Sequence, residues 1–314
     1  MTGMMQISVI PVALYIINRY LCVIMNRLIV FVAFLIAIVS QVVAQGVDRV
    51  MFNNESADTA RITGLLVDAV AALPASATPE QRMSWFADRL AGTPYVSGTL
   101  DGDEEVLTVN IDGFDCNTFV ETVAALAFTA GENRTSWRDF VYHLQRVRYR
   151  KGVVDGYTSR LHYVSDWIVD NAYRGNVREV TGNFVDSKTI EKSIDYMTCH
   201  RDSYPALADS ANYARMRGIE SGYRSHRFPY IKSSKVGSKA FKAFVHDGDI
   251  IAFTTKTPDL DVQHIGLVRV KDGDVYLMHA SSLSGKVEVT SWPLTEYLRR
   301  NYNITGVRIV RLVP

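Results

Sequence analysis

Cys116, His264 and His279 are the residues of this chain whose types and placing suit nucleophilic chemistry. A thiol attacks a carbonyl carbon when an imidazole removes its proton and a further group holds that imidazole in position. Cys116 opens a segment with helical spacing, in which Phe119, Val120, Val123, Ala124, Leu126 and Ala127 share one face and Gly131 offers a stop. In the first turn of a helix, unpaired backbone N–H groups and the positive end of the dipole favour the thiolate, so the Cys116 pKa is expected to be lowered. Asp115 suits the cap of that helix, and Gly113 permits a tight approach. On this reading His264 takes the thiol proton and returns it to a leaving amine, while His279 orients His264 through its second ring nitrogen. The plainer alternative for Cys116 is a small packing residue beneath the helix.

The histidines need a scaffold that brings them together. Strand-like runs over 264–270 and 275–281 flank Lys271-Asp272-Gly273-Asp274, and Asp-Gly is a strong signal for a tight hairpin. Pairing Lys271 with Asp274 sets His264 opposite Ser281, so His264 and His279 fall on one face as diagonal neighbours, roughly 7–8 Å apart at the backbone. A three-residue loop would reverse the parity and separate them. Further strands are expected over 249–254, 287–290 and 307–313, and a short one over 106–111. Helices are expected over 56–73 and from Pro79 to Leu90, the second capped by Thr78. Between them and the C-terminal strands, 132–245 is mixed and aromatic-rich, with helical patterns near 137–146 and 163–171. Helices, a cysteine helix and then an antiparallel sheet make the expected class α+β.

Composition excludes more than it assigns. With 34 Lys and Arg against 33 Asp and Glu the net charge is +1, so no overall field favours nucleic acid. Three cysteines, at 22, 116 and 199, are too few for a disulfide framework and form no C-x-x-C pair. Seven histidines include no H-E-x-x-H, and neither a metal nor a cofactor is expected. From Ser8 to Ala44 the chain is nearly all apolar. Met25-Asn26-Arg27, the apolar run from Leu28 to Ile38 and Val42-Val43-Ala44 read as a secretory leader cleaved before Gln45, with the first 24 residues preceding the true start. An uncleaved anchor is the alternative. The expected organisation is therefore a leader over 1–44 and one domain over 45–314, with N-terminal helices over 56–91 and a mixed insertion over 132–245. Eight Lys or Arg against Glu220 over 215–242 read either as a solvated face or as a rim for an anionic polymer.

The words Gly92-Thr93-Pro94-Tyr95, Phe114-Asp115-Cys116, His264-Ile265-Gly266-Leu267 and His279-Ala280-Ser281 occur in that order. They resemble the NlpC-type cell-wall branch of the papain-like cysteine peptidases. The chain departs from the family at Asn117-Thr118, where Ser-Gly is usual. That variant, with Phe119-Val120-Glu121, Tyr149-Arg150, Arg160-Leu161-His162-Tyr163 and Asp166-Trp167, is similar to an N-acetylmuramoyl-L-alanine amidase-like bacterial branch. The similarity runs from about residue 80 to the C-terminus. It implies a papain-like core, peptidoglycan or a muropeptide as substrate, and thiolate attack on an amide or γ-linked isopeptide bond. It also implies substrate contacts from Tyr95, Asp115, Asn117, Arg160, His162, Asp166 and Trp167, and oxyanion stabilisation by the backbone N–H of Cys116. For Tyr95 and Asp115 a turn residue and a helix cap are the competing readings, and for Asp166 beside Trp167 ordinary scaffolding.

Two bonds remain open at this point: muramoyl to L-alanine, or D-γ-glutamyl to a diamino acid. A non-catalytic module that binds wall fragments is the reading of another class. Cys199-His200 is a rival nucleophile and base, although adjacent side chains diverge. Export would place the protein in the periplasm or cell envelope, with membrane contact only through an uncleaved N-terminal segment.

Overall fold

The computed structural model describes residues 49–314. The leader expected over 1–44, with Cys22, lies outside the described residues. After β1 (Val50–Phe52), Asn54 caps α1 (Glu55–Ala72) by accepting from the Ala57 N–H. Thr78 and Gln81 form a capping box at the start of α2 (Pro79–Arg89), with proline in the first turn. β2 (Leu107–Val109) is shorter than the strand expected over 106–111, and it pairs in parallel with β1.

Next come α3 (Cys116–Gly131), α4 (Trp137–Arg148) and α5 (Val164–Tyr173). All six apolar residues predicted for one face of α3 are buried. One buried ion pair fixes this helix to α4: Arg148 Nε donates to Glu121 Oε2 at 2.6 Å, and Arg148 Nη1 donates to the Thr108 carbonyl of β2 at 2.6 Å. Removing either charge would strand the other in a dry interior, so the pair holds the three elements in register.

The chain continues through β3 (Val177–Glu179), β4 (Lys188–Lys192), α6 (Tyr196–Cys199), α7 (Ser210–Ser221), β5 (His226–Lys232) and α8 (Lys239–Phe244). It ends with β6 (Ile250–Thr255), β7 (Val262–Lys271), β8 (Asp274–Ser281), β9 (Lys286–Val289), α9 (Leu294–Arg300) and β10 (Ile304–Leu312). The main sheet has eight strands in the order β4-β5-β10-β6-β7-β8-β9, with β3 also on β10. Every pairing in it is antiparallel. The class is α+β, as expected. Within the segment 132–245, β3 and β5 both hydrogen-bond to β10 near the C-terminus.

Asp272 and Gly273 have φ of 51° and 76°, the backbone of a two-residue primed turn whose twist matches the strands it joins. The resulting register pairs Lys271 with Asp274, Val270 with Val275 and Leu267 with Met278, as the sequence predicts. A central core joins Ile251 and Phe253 of β6, Val268, Leu277, Val307 and Ile309 to Phe241 of α8 and Leu294 and Leu298 of α9. Burial of each such side chain stabilises the fold by about 1.5–3 kcal/mol. The basic stretch is a solvated face: seven of its eight cations are exposed, and Arg227, Lys235 and Lys242 pair with Glu191, Asp186 and Asp274. Glu220 instead points inward and accepts from Tyr163 Oη at 2.8 Å.

Candidate active site

The start of α3 is built by its own side chains. Asp115 accepts from the Thr118 N–H at 2.8 Å, and Thr118 Oγ1 accepts from the Asp115 N–H at 2.9 Å, closing a reciprocal capping box. This explains the departure at Asn117-Thr118: a hydroxyl at the third helical position completes the cap, which glycine cannot do. Cys116 is therefore the first helical residue, half-buried, with its sulfur reached by backbone hydrogen bonds from Ile265, Asn117 and its own N–H.

α3 packs against β7 and β8, the strands that carry the histidines. His264 Nε2 lies 2.7 Å from His279 Nδ1, with the rings edge to face at a centroid separation of 4.9 Å. Their common face follows from the hairpin register. A bulge adds to it: Phe253 pairs with His264 but Thr254 pairs with Val262, leaving Gln263 as the extra residue directly before the histidine. Gln263 Oε1 accepts from Thr255 Oγ1 at 2.7 Å and Asn303 Nδ2 at 3.0 Å, which pins the bulge. At Gly266 a Cβ would sit 2.7 Å from the Met278 carbonyl oxygen and 3.0 Å from His279 Cβ, so β7 and β8 approach this closely only because no side chain intervenes. Cys116 and His264 line one cavity of about 60 Å³, together with Asn117, His162, Asp261 and Gln263.

The electrostatics overturn one expectation. Burial, reinforced by the Asp115 charge, pushes the Cys116 thiol up to about 12, and the backbone hydrogen bonds at the helix start only partly oppose this. The helix terminus does act in the expected direction, but desolvation of the thiolate outweighs it. Burial and the neighbouring His279 bring His264 down to about 3, and burial brings His279 down to about 4. The resting site thus holds a neutral thiol beside two neutral imidazoles.

The residues expected to contact substrate separate into two groups. Tyr95 is half-buried with its N–H donating to the Gly285 carbonyl at 2.8 Å, and burial, then the Cys116 and Asp115 charges, raise its hydroxyl pKa, which places it beside the thiol. Asn117 is exposed on the rim of the Cys116 cavity. His162 Nε2 meets the Tyr157 carbonyl oxygen at 2.9 Å. A carbonyl only accepts, so that nitrogen carries the proton. His162 also lines a second cavity of about 970 Å³ with Tyr157, Arg160 and Glu105, so it bridges the two spaces. Arg160 stands in that wall, with Asp101 and Glu105 each 3.4 Å away.

Asp115, Asp166 and Trp167 are placed differently. The Asp115 carboxylate is engaged by the cap. Asp166 is buried and bound by Arg150 at 2.8 and 2.5 Å and by Tyr223 Oη at 2.6 Å. Trp167 is 4% exposed and lines a small cavity with Asn117, Val120, Glu121, Leu161, Val164 and Ile265. Cys199 is exposed on α6, while the His200 ring stacks on Tyr196 at 3.9 Å with Nδ1 at 2.8 Å from the Tyr196 carbonyl. Two groups of possible metal ligands occur among the described residues, Glu80 with His246 and Asp249, and Asp195 with Cys199 and Asp259, and neither includes Cys116, His264 or His279.

Sequence reasoning missed Tyr297 of α9. Its ring lies 5.6 Å from His279, 6.3 Å from His264 and 5.3 Å from Phe253. No local signal marks it, because a tyrosine on a short amphipathic helix is ordinary until the sheet register brings it to the histidines.

A family described as AmiA-like, N-acetylmuramoyl-L-alanine amidase-like, matches residues 86–306. No curated protein matches the chain. A crystal structure of an N-acetylmuramoyl-L-alanine amidase from Bacteroides uniformis is similar, with 38% identity and a TM-score of 0.70 over 75% of this chain and 99% of that one. A structure described as a putative xylanase from Bacteroides fragilis is also 38% identical, with a TM-score of 0.67 over 72% of this chain and 99% of that one. A Legionella pneumophila protein at 21% identity and a TM-score of 0.65, covering 83% of this chain and 97% of that one, shares the fold. The matched span contains Cys116, His264 and His279, and the chain belongs to the N-acetylmuramoyl-L-alanine amidase-like family.

Proposed function

We propose that this protein is an exported cysteine amidase that cleaves the bond between N-acetylmuramic acid and L-alanine in peptidoglycan fragments, with Cys116, His264 and His279 acting in an NlpC-type, papain-like core. The observation that carries this reading is the 2.7 Å contact between His264 Nε2 and His279 Nδ1 in the cavity wall shared with Cys116. With the Nε2 proton of His264 donated to His279 Nδ1, His264 keeps Nδ1 unprotonated as the base. The neutral thiol transfers its proton to that nitrogen as sulfur attacks the lactyl carbonyl carbon. The C–N bond then breaks, the amine of L-alanine leaves with the proton from His264, and water hydrolyses the thioester through the same base. The Cys116 backbone N–H at the open helix end faces the developing oxyanion. His162, which lines both cavities, and Arg160, in the wall of the larger one, would hold the peptide or sugar.

The leader reading and the wall substrate together suggest action in the periplasm or cell envelope. Mass spectrometry of purified muropeptides before and after incubation tests the bond. Free stem peptides beginning with L-alanine are expected. Disaccharide-dipeptides would assign the γ-D-glutamyl endopeptidase instead, and unchanged muropeptides would favour a binding module.

A further inference from the structure

The histidine pair is enclosed by aromatic rings from two elements. Phe253 of β6 stacks on His264 at 5.8 Å with an interplanar angle of 25°. Tyr297 of α9 meets both imidazoles: it is tilted by 32° to His264 at 6.3 Å and stands edge-on to His279 at 5.6 Å and 80°. Phe253 and Tyr297 also touch each other at 5.3 Å. The anchor for Tyr297 is firm, because Leu294 and Leu298 on the same helix are buried in the central core. Aromatic pairs at these separations favour tilted and edge-to-face geometry, so each ring restricts the rotation of the next.

We infer that Tyr297 is a positioning residue: through its ring, α9 holds the His264–His279 pair in the orientation that serves Cys116. This rests on the reading of His264 as the base. The groups facing the pair are the Cys116 thiol from α3, the Tyr297 hydroxyl from α9, Glu288, which pairs with His279 from β9, and His162 and Asp261, which line the cavity with His264, whereas Phe253 on β6 brings no charge. No cation from these elements is hydrogen-bonded to either imidazole among the described residues. The ring covers part of both imidazoles, and burial lowers both imidazole pKa values and raises the Tyr297 hydroxyl to about 12, with the Cys116 charge contributing to the latter.

The test compares Tyr297→Phe, Tyr297→Leu and Tyr297→Ala in the full chain carrying Cys199→Ser. Two readouts are followed: imidazole titration by NMR, and the pH profile of Cys116 alkylation by iodoacetamide. In Tyr297→Ala the midpoints of His264 and His279 are expected to rise by about one pH unit or more as water enters, and kcat to fall about tenfold with KM unchanged. Tyr297→Phe is expected to restore wild-type titration and rate. Tyr297→Leu, which keeps apolar volume if the alanine variant fails to fold but removes the ring contacts, should lower kcat and shift the pH profile of Cys116 alkylation as the alanine variant does, with a smaller rise of the imidazole midpoints. An unchanged Cys116 alkylation profile in Tyr297→Leu, or loss of function in Tyr297→Phe equal to that in Tyr297→Ala, would overturn the inference. Because titration and alkylation need no substrate, their result stands apart from any failure of muropeptide cleavage, which would count against the proposed function alone.

Discussion

His264 Nε2 and His279 Nδ1 approach to 2.7 Å while both rings stay neutral at physiological pH. A neutral pair at this distance needs one donor and one acceptor, and the tautomer in which His264 Nε2–H donates to His279 Nδ1 is the one that leaves His264 Nδ1 unprotonated, as the proposed base requires.

Stability should fall as the solution is acidified from pH 7 to 5. His162, His264 and His279 have folded pKa values of about 3, 3 and 4, below the value of about 6.5 in the unfolded chain. The unfolded state therefore binds more protons in this range, and the stability present above pH 6.5 is lost as pH falls. Each group contributes about 1.4 kcal/mol per pH unit once below 6.5. Urea midpoints measured across the range, with His162→Asn as a shallower comparison, check this; a flat profile would contradict it.

Cys116 should be slow to alkylate at neutral pH and accelerate above pH 9, unlike the exposed Cys199. Asp115→Asn keeps an N-cap acceptor while removing the charge that adds to the effect of burial on the thiol. Alkylation of Cys116 at pH 8 is expected to speed up about threefold to tenfold, with the far-ultraviolet spectrum unchanged. Peptide-resolved mass spectrometry separates the two thiols. Fast labelling of the wild-type Cys116 at pH 6 would argue against the neutral resting state.

Gly266→Ala should destabilise the fold by about 1–3 kcal/mol, since its Cβ meets the Met278 carbonyl oxygen at 2.7 Å. The strands must part to admit it, and His279 moves with them. Thermal unfolding reports the first effect, and loss of hydrolysis out of proportion to the unfolded fraction reports the second.

Glu121→Ala should cost about 3–5 kcal/mol, because Arg148 is left buried without its 2.6 Å partner. Glu121→Ala combined with Arg148→Met is expected to recover part of that loss. Chemical denaturation of the two single variants and the double variant measures the coupling.

The site was legible where local rules decide. The alternation over 264–270 and 275–281 with Asp272-Gly273 between them sets parity, and parity sets the histidines on one face. The Cys116 helix announced itself through its apolar periodicity and Asp115. What escaped depends on long-range partners. β1 and β3 are three-residue strands whose mates lie far along the chain, at β2 and β10. The partners of Asp166, which are Arg150 and Tyr223, were equally hidden, because Tyr223 lies 57 residues away. The direction of the thiol shift was also hidden, because the helix terminus is visible in sequence and the depth of burial is not.

The central claim is that Cys116 takes the muramoyl acyl group. Acid quenching of the Cys199→Ser protein during turnover of a disaccharide-tripeptide, followed by intact and peptide mass spectrometry, tests it most directly. The account predicts a thioester on Cys116 with the mass of the disaccharide-lactyl group and no amino acid, absent from Cys116→Ala. An adduct carrying L-alanine and D-glutamate, or hydrolysis that persists in Cys116→Ala, would contradict it.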